Sequence, residues 1–415
     1  MKRNYKSILL LIILILYIFT SSCNSSELSK PQTTETNKIT ASTLPTSQTT
    51  TAEDVTTSTQ PSVIDPTKFL YKLSFDNITN ISKSKNVFVF VIDRFDRVFA
   101  EAAFIHDPAV FSSLEGFTYF EDNISLYGHT YPSIAYMVTG NKLNEESRKD
   151  FLAKAYDNAA ALDELKRNNY QVNVFTNSYY GYNTDYYVSK YISNAVDNKS
   201  DKAKYSTKLD GLEEFYKNAE FKLVDDKVYS FIHLEGCHDC YFGGGTAPEA
   251  LKDTQVEKCL NSLKKNFAII NKYIEKMKEW GVYDNATIII TGDHGAAISD
   301  AKPLDGIRTT ALFVKSSGSG KGNIVRSSSP VCHDNLWATI FKSEGINTSK
   351  SCGTSVFDAE ESSQAKRTYL WHAFVKDEDD KTVYVEYKYT IIGSALDFNN
   401  WTLTETKQYD KSLYA

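Results

Sequence analysis

The chain has 415 residues, of which 46 are Lys or Arg and 52 are Asp or Glu, and hydrophobic residues make up 41% of it. Acidic residues outnumber basic ones and there is no basic run, which excludes a nucleic-acid-binding role. The length is ordinary for an α/β enzyme preceded by a targeting segment.

The first 22 residues are typical of a lipoprotein signal peptide. Three basic residues precede an apolar run from Ile8 to Phe19, and that run is short for a membrane-spanning helix, which needs about 20 residues. Small residues before Cys23 resemble a lipobox, whose cysteine becomes acylated. We therefore expect Cys23 to anchor the protein in the membrane. The alternative is a plain signal peptide or a retained short anchor, with Cys23 as a bystander.

Residues 23–66 are dominated by Ser, Thr, Gln and Pro, a composition that cannot bury enough apolar surface to fold. They predict a disordered tether that lets the folded part stand away from the bilayer. We expect residues 67–415 to form a single domain, which the motifs described below predict to be catalytic. This organisation predicts a lipid-anchored protein on the extracellular face of a bacterial cell membrane.

Five further cysteines are candidates for disulfides in an exported protein. We expect one disulfide between Cys332 and Cys352, and another between Cys259 and either Cys237 or Cys240. The spacing does not decide the connectivity, and one thiol is left over. A metal site at Cys237 and Cys240 is the weaker interpretation, because two thiolates lack two further ligands.

Several apolar, β-branched runs predict strands that are covered on both faces of a parallel sheet. The first, NVFVFVI at residues 86–92, ends at Asp93. Similar runs begin at Gln171 and at Lys227, and ATIII occupies residues 286–290. Each run leads into polar residues, and ligands bind at the carboxyl ends of strands in open α/β sheets.

Helical patterns alternate with these strands. Residues 159–168 predict one helix, and residues 254–280 carry apolar side chains at helical spacing up to Gly281. After about Ala365 the runs become shorter and more alternating. The pattern predicts an α/β fold with a mostly parallel central sheet, helices on both faces and a small C-terminal antiparallel sheet.

The segment GHTYPSIAYMVTG at residues 128–140 places a hydroxyl residue before a predicted apolar helix. Pro132 suits an early helical position, so Thr130 would lie at the helix N-terminus, where free N–H groups favour an anion. In the alternative interpretation, Thr130 or Ser133 only caps this helix, and Asp93 likewise caps the helix that follows it.

Asp293 and His294 lie in TGDHG, directly after the predicted strand at residues 286–290. A carboxylate beside an imidazole offers two good ligands for a divalent metal ion. The following glycine allows the backbone to approach closely. We therefore predict a metal site at the end of this strand.

Taken in order, these clusters resemble the alkaline phosphatase superfamily. The likeness is to its sulfatase-like branch, with lipoteichoic acid synthases and phosphoethanolamine transferases, and it extends from about Asn86 to Phe357. Asp93 matches the first metal ligand, Thr130 the nucleophile, and Asp293 with His294 the remaining ligands. The resemblance implies an alkaline phosphatase-like fold and one divalent metal ion, zinc or manganese, bound by these four residues.

The resemblance also implies a mechanism in which Thr130 attacks phosphorus and forms a phospho-threonine intermediate, which water or an acceptor hydroxyl resolves. His238, in HLEGCHDC, matches a histidine that contacts substrate or assists proton transfer, so we assign it a catalytic role. The alternative is a surface histidine. His233 is expected to be a strand residue rather than a ligand. His333 lies in a segment that the family uses structurally. A role for His333 as a ligand of a second metal ion stays open.

Two departures from the family bear on the reaction. Formylglycine sulfatases need Cys or Ser at the nucleophile position, and threonine cannot give that aldehyde, so Thr130 disfavours sulfate ester hydrolysis. The transferases mostly carry Glu where this chain has Asp93, so the chain could be a phosphodiesterase instead of a transferase. A further difference is that these transferases usually have several membrane spans, which we do not predict for this chain.

The sequence thus predicts a phosphotransferase or phosphodiesterase. Its substrates would be a phospholipid, a teichoic-type polymer or a phosphorylated glycan of the cell envelope. Alternatives are a phosphomonoesterase or a sulfuric ester hydrolase. A non-catalytic glycan-binding lipoprotein is also possible, since tyrosines of the loop at residues 177–187 would stack on sugars. We expect substrate choice to depend on residues 179–187 and 243–248.

Overall fold

The computed structural model describes residues 71–144, 146–176, 191–197, 209–234, 236–240, 253–296, 302–348 and 352–409. The predicted signal peptide, Cys23 and the predicted tether lie outside these residues, as do the loops at 177–187 and 243–248. Within the described part of the chain, no helix is long and apolar enough to cross a membrane.

The described strands are numbered in chain order. They are β1 (Tyr71–Leu73), β2 (Asn80–Ser82), β3 (Asn86–Ile92), β4 (Thr118–Phe120), β5 (Asn123–Ile124), β6 (Tyr170–Phe175), β7 (Ala195–Asp197), β8 (Lys222–Val224), β9 (Lys227–Leu234), β10 (Ala286–Thr291), β11 (Leu312–Lys315), β12 (Val325–Ser327), β13 (Val331–Cys332), β14 (Arg367–Lys376), β15 (Thr382–Ile391) and β16 (Trp401–Tyr409).

The described α-helices are α1 (Arg97–His106), α2 (Thr130–Thr139), α3 (Arg148–Asp157), α4 (Ala160–Arg167), α5 (Leu209–Asn218), α6 (Asp253–Glu279) and α7 (Leu336–Glu344). The helix predicted at residues 159–168 is α4, and the one predicted at 254–280 is α6. Gly281 follows α6 with a left-handed φ of 68°, a conformation that glycine adopts without a steric penalty.

A seven-stranded sheet with the order β12-β4-β11-β10-β3-β9-β6 forms the centre of the fold. β3 pairs in parallel with β10 on one side and with β9 on the other, and β9 pairs in parallel with β6. β11 runs antiparallel to both of its neighbours. The sheet is therefore mostly parallel, as predicted, and the antiparallel β11 was not predicted.

The side chains of β3 explain why its sequence is apolar without alternation. Phe88 and Phe90 enter one hydrophobic core, where both rings contact Tyr273 of α6 at centroid distances of 5.1 and 5.3 Å. Val87 and Val89 enter a second core on the opposite face, together with side chains of α2, α3, α4 and α7. Helices cover both faces of the sheet, which confirms the predicted architecture.

A separate sheet at the C-terminal end has the order β14-β15-β16, with both pairings antiparallel. This confirms the small antiparallel sheet predicted after Ala365. Its inner side chains, among them Tyr369, Tyr389 and Trp401, form their own hydrophobic cluster.

The five described cysteines are all free thiols in this structure. Neither of the predicted disulfides is formed. Cys332 lies at the end of β13, where its backbone N–H donates to Asn335 Oδ1 at 2.8 Å. Cys352 is 3.7 Å from the hydroxyl of Thr348 instead.

Candidate metal and nucleophile site

Three neighbouring strands of the central sheet bring polar side chains to one edge. Asp93 follows β3, Asp293 follows β10, and His233 lies near the end of β9. The parallel register places Val91 beside both Thr291 and His233. The carboxyl ends of these strands therefore meet where open α/β sheets bind their ligands.

Asp93, His233 and Asp293 form a buried group with the spacing of a metal site. One ligand atom from each lies within 4.8 Å of the others, and His233 Nε2 is 3.8 Å from Asp93 Oδ2. Two carboxylates that are buried side by side need a cation to offset their negative charge. This group could hold a metal ion, and its oxygen and nitrogen donors suit zinc or manganese.

His233 was expected to be a strand residue rather than a ligand, and its position bears on the candidate metal site. His233 does belong to β9, but its ring points to the same edge of the sheet as the two carboxylates. Its Nδ1 atom lies 3.2 Å from the hydroxyl of Thr176. Burial lowers the pKa of His233 to about 4, so the ring is neutral near pH 7 and has a lone pair to offer a metal.

Asp293 has one oxygen held by the backbone and one that points into the site. Its Oδ1 accepts hydrogen bonds from the N–H groups of Arg94 and His294, both at 2.9 Å. Its Oδ2 is buried and makes no hydrogen bond with the described residues. The backbone therefore orients this carboxylate and leaves Oδ2 for an ion.

His294 is held in one tautomer by its own backbone. Its Nδ1 lies 2.8 Å from the carbonyl oxygen of Gly295, so Nδ1 carries the proton and donates it. Its Nε2 then keeps a lone pair and lies 3.6 Å from Asp293 Oδ2 and 3.2 Å from Thr130 Oγ1. The Thr130 hydroxyl and His294 Nε2 are therefore close enough to be ligands of the same metal ion.

Thr130 begins α2, as predicted, and it is buried. The N-cap residue is His129, and neither Thr130 nor Ser133 provides a side-chain cap. The Ser133 hydroxyl donates instead to the carbonyl of Tyr127 at 3.3 Å. The Thr130 hydroxyl therefore faces His294. It lies at the N-terminus of α2, where the helix dipole favours negative charge.

Arg94 links the loop after β3 to the loop after β9, a role that no local sequence pattern indicated. Its backbone has a left-handed φ of 56°, and its guanidinium donates to the carbonyl of His238 at 2.8 Å. The N–H of Cys237 donates to the carbonyl of Asp93 at 2.8 Å. Both contacts fix the segment that carries His238.

Gly236 permits that close approach. A Cβ at this position would lie 2.5 Å from the Ile92 side chain and 2.6 Å from the backbone nitrogen of Asp93, and its φ is 60°. Any other residue would push the two strand ends apart.

His238 lies at the border of the site and does not belong to the metal-sized group. Its side chain is 25% exposed, and its Nδ1 is 3.8 Å from Asp239 Oδ1. Burial, together with the positive charge of Arg94, lowers the pKa of His238. A partly exposed imidazole in this position is accessible to a substrate, whereas the metal-sized group is buried.

The C-terminal sheet packs against the residues just before Thr130. His129 Nε2 lies 2.8 Å from the carbonyl of His372, and the His129 ring stacks on Trp371 at a centroid distance of 4.8 Å. Burial lowers the pKa of His129 to about 3, so its ring is neutral and donates from Nε2. A Cβ on Gly128 would be 2.5 Å from Trp371.

His333 is a buried neighbour of this centre. It is 2% exposed, and burial lowers its pKa to about 4. Its ring lies near the backbone of Gly292, but neither ring nitrogen makes a well-aligned hydrogen bond with the described residues. Its segment was expected to be structural, and the structure leaves its ring nitrogens available.

A mostly parallel α/β sheet with a metal-sized carboxylate and histidine group beside a helix-terminal threonine defines a class of metal-dependent hydrolases and transferases. The sulfatase family model matches residues 85–346, and the chain belongs to that family. This confirms the superfamily assignment made from the motifs. A comparison with curated proteins returned no significant match.

Solved structures with a similar fold include a protein in the alkaline phosphatase superfamily from Vibrio parahaemolyticus, at 12% identity, covering 84% of this chain and 88% of that one, with a TM-score of 0.49. The lipoteichoic acid synthase LtaP from Listeria monocytogenes is 13% identical over 77% of this chain and 86% of its own, with a TM-score of 0.46. The phosphonate monoester hydrolase SpPMH from Silicibacter pomeroyi is 12% identical over 79% of this chain and 89% of its own, with a TM-score of 0.44. Such distant similarities say nothing about the substrate.

Proposed function

We propose that this protein is a metal-dependent phosphotransferase or phosphodiesterase that acts on phosphate-containing substrates of the cell envelope, with Thr130 as its nucleophile. The observation that carries the proposal is the 3.2 Å separation between Thr130 Oγ1 and His294 Nε2 at the N-terminus of α2. A nucleophile beside metal ligands, at a helix end that favours anions, suits attack on a phosphoric ester.

The proposed ligands are Asp93, Asp293 and His294 together with the hydroxyl of Thr130, and we add His233, whose ring lies in the same buried group as the two carboxylates. When bound, a zinc or manganese ion would lower the pKa of the hydroxyl and screen the charge of the phosphate. Hydrogen bonds with backbone groups hold the side chains of two of these proposed ligands, Asp293 and His294, in place before a substrate binds. That preorganisation is what a catalytic site requires.

Thr130 Oγ1 forms a bond to phosphorus while the bond to the leaving oxygen breaks. His238, partly exposed at the border of the site, donates a hydrogen bond to a phosphate oxygen or a proton to the leaving alkoxide. Water or an acceptor hydroxyl then attacks the phospho-threonine, which regenerates Thr130. Hydrolysis or transfer results, according to which acceptor is bound.

Phosphoric esters are favoured over sulfuric esters by the nucleophile itself. Formylglycine sulfatases need an aldehyde made from Cys or Ser, and Thr130 cannot supply one. A phosphomonoesterase is the second candidate, and the nearby ring of His333 favours it, because it adds a nitrogen donor for another metal ion. Two metal ions per chain would support that reaction.

We further propose that acylated Cys23 holds the enzyme at the outer face of the cell membrane, where phospholipids, teichoic-type polymers and phosphorylated glycans are within reach. This part of the proposal rests on the sequence of residues 1–66. The tether would let the catalytic domain sample substrates near the bilayer.

The proposed nucleophile is tested by turnover of a chromogenic phosphodiester by the metal-loaded protein. Thr130→Ala should reduce kcat by about a thousandfold or more, because a nucleophile cannot be replaced by binding energy alone. Thr130→Ser keeps a hydroxyl and is the matched control, which should retain part of the activity. Equal rates for Thr130→Ala and the parent would remove Thr130 from the mechanism.

A further inference from the structure

A cleft of about 370 Å³ lies between α2, α4 and α7, and none of the proposed metal ligands lines it. We call it the α2 cleft. Its lining includes Gly140 at the end of α2, Ala160 and Ala161 at the start of α4, and Trp337 and Phe341 on α7. The volume falls in the range of small-molecule sites, about 300–1,000 Å³. The cleft is therefore large enough for a ligand of its own.

The charged side chains that line the α2 cleft are paired. Lys142 Nζ lies 2.9 Å from Asp334 Oδ2, and Arg167 Nη1 lies 2.9 Å from Glu164 Oε2. The hydroxyl of Tyr136 donates to the other oxygen of Asp334. The lining thus has two cations and two carboxylates, and an ion of either sign gains no net attraction from them. The cleft favours a neutral polar ligand over a free phosphate ion.

One buried donor beside the α2 cleft has no partner. Trp337 is 8% exposed, and its Nε1–H makes no hydrogen bond with the described residues. The ring edge that carries Nε1 faces Gly140, since a Cβ added to Gly140 would lie 3.8 Å from Nε1. The glycine therefore leaves the space in front of this edge free of a side chain. An unpaired buried N–H is costly, and a ligand that offers a carbonyl oxygen removes that cost.

A second cleft, of about 470 Å³, adjoins the first, because Lys142 lines both of them. We call it the sheet cleft. It is lined by one face of the C-terminal sheet, with side chains from β14, β15 and β16. Its charges are also paired, and Glu405 lies 3.2 Å from both Lys388 and Lys407. The two clefts together make one extended groove.

We propose that this groove binds a linear glycan that contains N-acetylated amino sugars. The acetamide group of such a sugar offers a carbonyl oxygen to Trp337 Nε1–H and a methyl group to the ring of Phe341. Its hydroxyls both donate and accept hydrogen bonds. They therefore match the salt-bridged side chains, which present donors and acceptors next to each other. Further sugars of the chain extend past Lys142 into the sheet cleft.

A peptide is a less suitable occupant of the groove, although it also carries carbonyl groups. Extended peptides are commonly bound by backbone hydrogen bonds along the edge of a sheet. The sheet cleft is lined by the face of the C-terminal sheet, where side chains of β14, β15 and β16 project. That surface offers side-chain groups to a ligand instead of a row of backbone groups.

The groove and the candidate metal site lie at opposite ends of α2. Thr130 begins this helix and Gly140 ends it, and a helix of ten residues is about 15 Å long. A glycan held in the groove would keep its phosphorylated positions near Thr130. This consequence rests on the proposed function, but glycan binding in the groove does not.

The test is calorimetric titration of the full chain with N-acetylglucosamine oligomers of one to four sugars. We expect the affinity to rise by about tenfold or more along this series, because longer chains reach both clefts. Maltotetraose has the same length and no acetamide group, so it should bind about tenfold more weakly. Tetraalanine should not bind.

Variants assign the binding to the groove. Trp337→Phe keeps a ring against Tyr229 but removes the N–H, and it should weaken binding of the N-acetylglucosamine tetramer by about tenfold. Glu405→Gln should weaken binding of the tetramer and leave binding of the single sugar unchanged. Trp280→Phe, which changes a tryptophan that lines neither cleft, is the matched control and should bind as the parent does.

Thermal unfolding shows whether each variant is folded. The proposal is overturned if the tetramer does not bind, if maltotetraose binds equally well, if tetraalanine binds more tightly, or if folded Trp337→Phe keeps the parent's affinity. The titration needs no turnover, so its failure and the failure of the proposed reaction are distinguishable.

Discussion

At the scale of single residues, the position of one proton decides how His294 acts. Because Nδ1 donates to the carbonyl of Gly295, Nε2 presents a lone pair beside Thr130 and Asp293. His233 is likewise buried and neutral, with Nε2 directed toward Asp93. Neutral imidazoles with fixed rings are the form in which histidine binds metal.

We predict that His233→Ala weakens metal binding by about tenfold to a hundredfold, the range seen when metal-site support is removed. The measurement is a chelator titration, followed by elemental mass spectrometry of the protein. His106→Ala, which changes an exposed histidine at the end of α1, is the matched control. Unchanged metal affinity in His233→Ala would return His233 to a purely structural role.

Local patterns mark the four residues that the sequence predicts for the site. Asp93, Asp293 and His294 follow apolar strands, and Thr130 begins a helix with an early proline. His233 carries no such mark, because it lies inside a strand, where one side chain among apolar neighbours gives no local sign of its direction. The loop containing Arg94 likewise acquires its role through distant contacts with Asp293 and His238.

At the scale of elements, the C-terminal sheet supports the start of α2. β14 contributes the Trp371 ring that stacks on His129 and the His372 carbonyl that accepts its Nε2 proton. The sequence predicted this sheet but not where it packs. That packing depends on contacts of His129 with residues more than two hundred positions away in the sequence. It also depends on Gly128, because a Cβ there would collide with Trp371.

We predict that Trp371→Ala lowers the free energy of unfolding by about 2 kcal/mol through lost ring packing. It should also lower kcat, because His129 no longer holds Thr130 in place. Denaturant unfolding and phosphodiester turnover measure the two effects.

Trp371→Phe keeps an aromatic ring and should recover most of both losses. Phe374→Ala, on the same strand but 44% exposed, should have little effect on either. A Trp371→Ala variant with the parent's kcat would show that the sheet does not position Thr130.

At the scale of the whole molecule, the fold carries an electrostatic cost at its functional edge. β10 pairs in parallel with β3 along the whole of β10, and this pairing delivers the buried carboxylates of Asp93 and Asp293 to one place. Their mutual repulsion is offset when a cation lies between them. Folding and metal binding should therefore be coupled.

We predict that chelation lowers the Tm of the parent protein. In the chelated state, Asp93→Asn should have a higher Tm than the parent by a few degrees, since removing one buried charge relieves about 1 kcal/mol or more. With metal restored, the order should reverse. Calorimetry of both proteins in both states measures this, and a chelated Asp93→Asn less stable than the chelated parent would contradict the coupling.

The order of the main strands and helices in the described residues could be read from hydrophobic patterns, because strands covered on both faces are apolar throughout. The direction of β11 could not, because a short buried strand has the same composition whether it runs parallel or antiparallel. Its pairing with β10 and β4 is fixed by long-range contacts instead.

The most direct test of the account is to find the phosphoryl group on the enzyme. Metal-loaded protein is mixed with a phosphodiester, quenched in acid within one turnover, digested and analysed by tandem mass spectrometry. We predict one phosphoryl group on Thr130 of the peptide 98–142, and none in Thr130→Ala. A phosphoryl group on Ser133 or another residue, with turnover intact, would contradict the assignment of Thr130 as nucleophile.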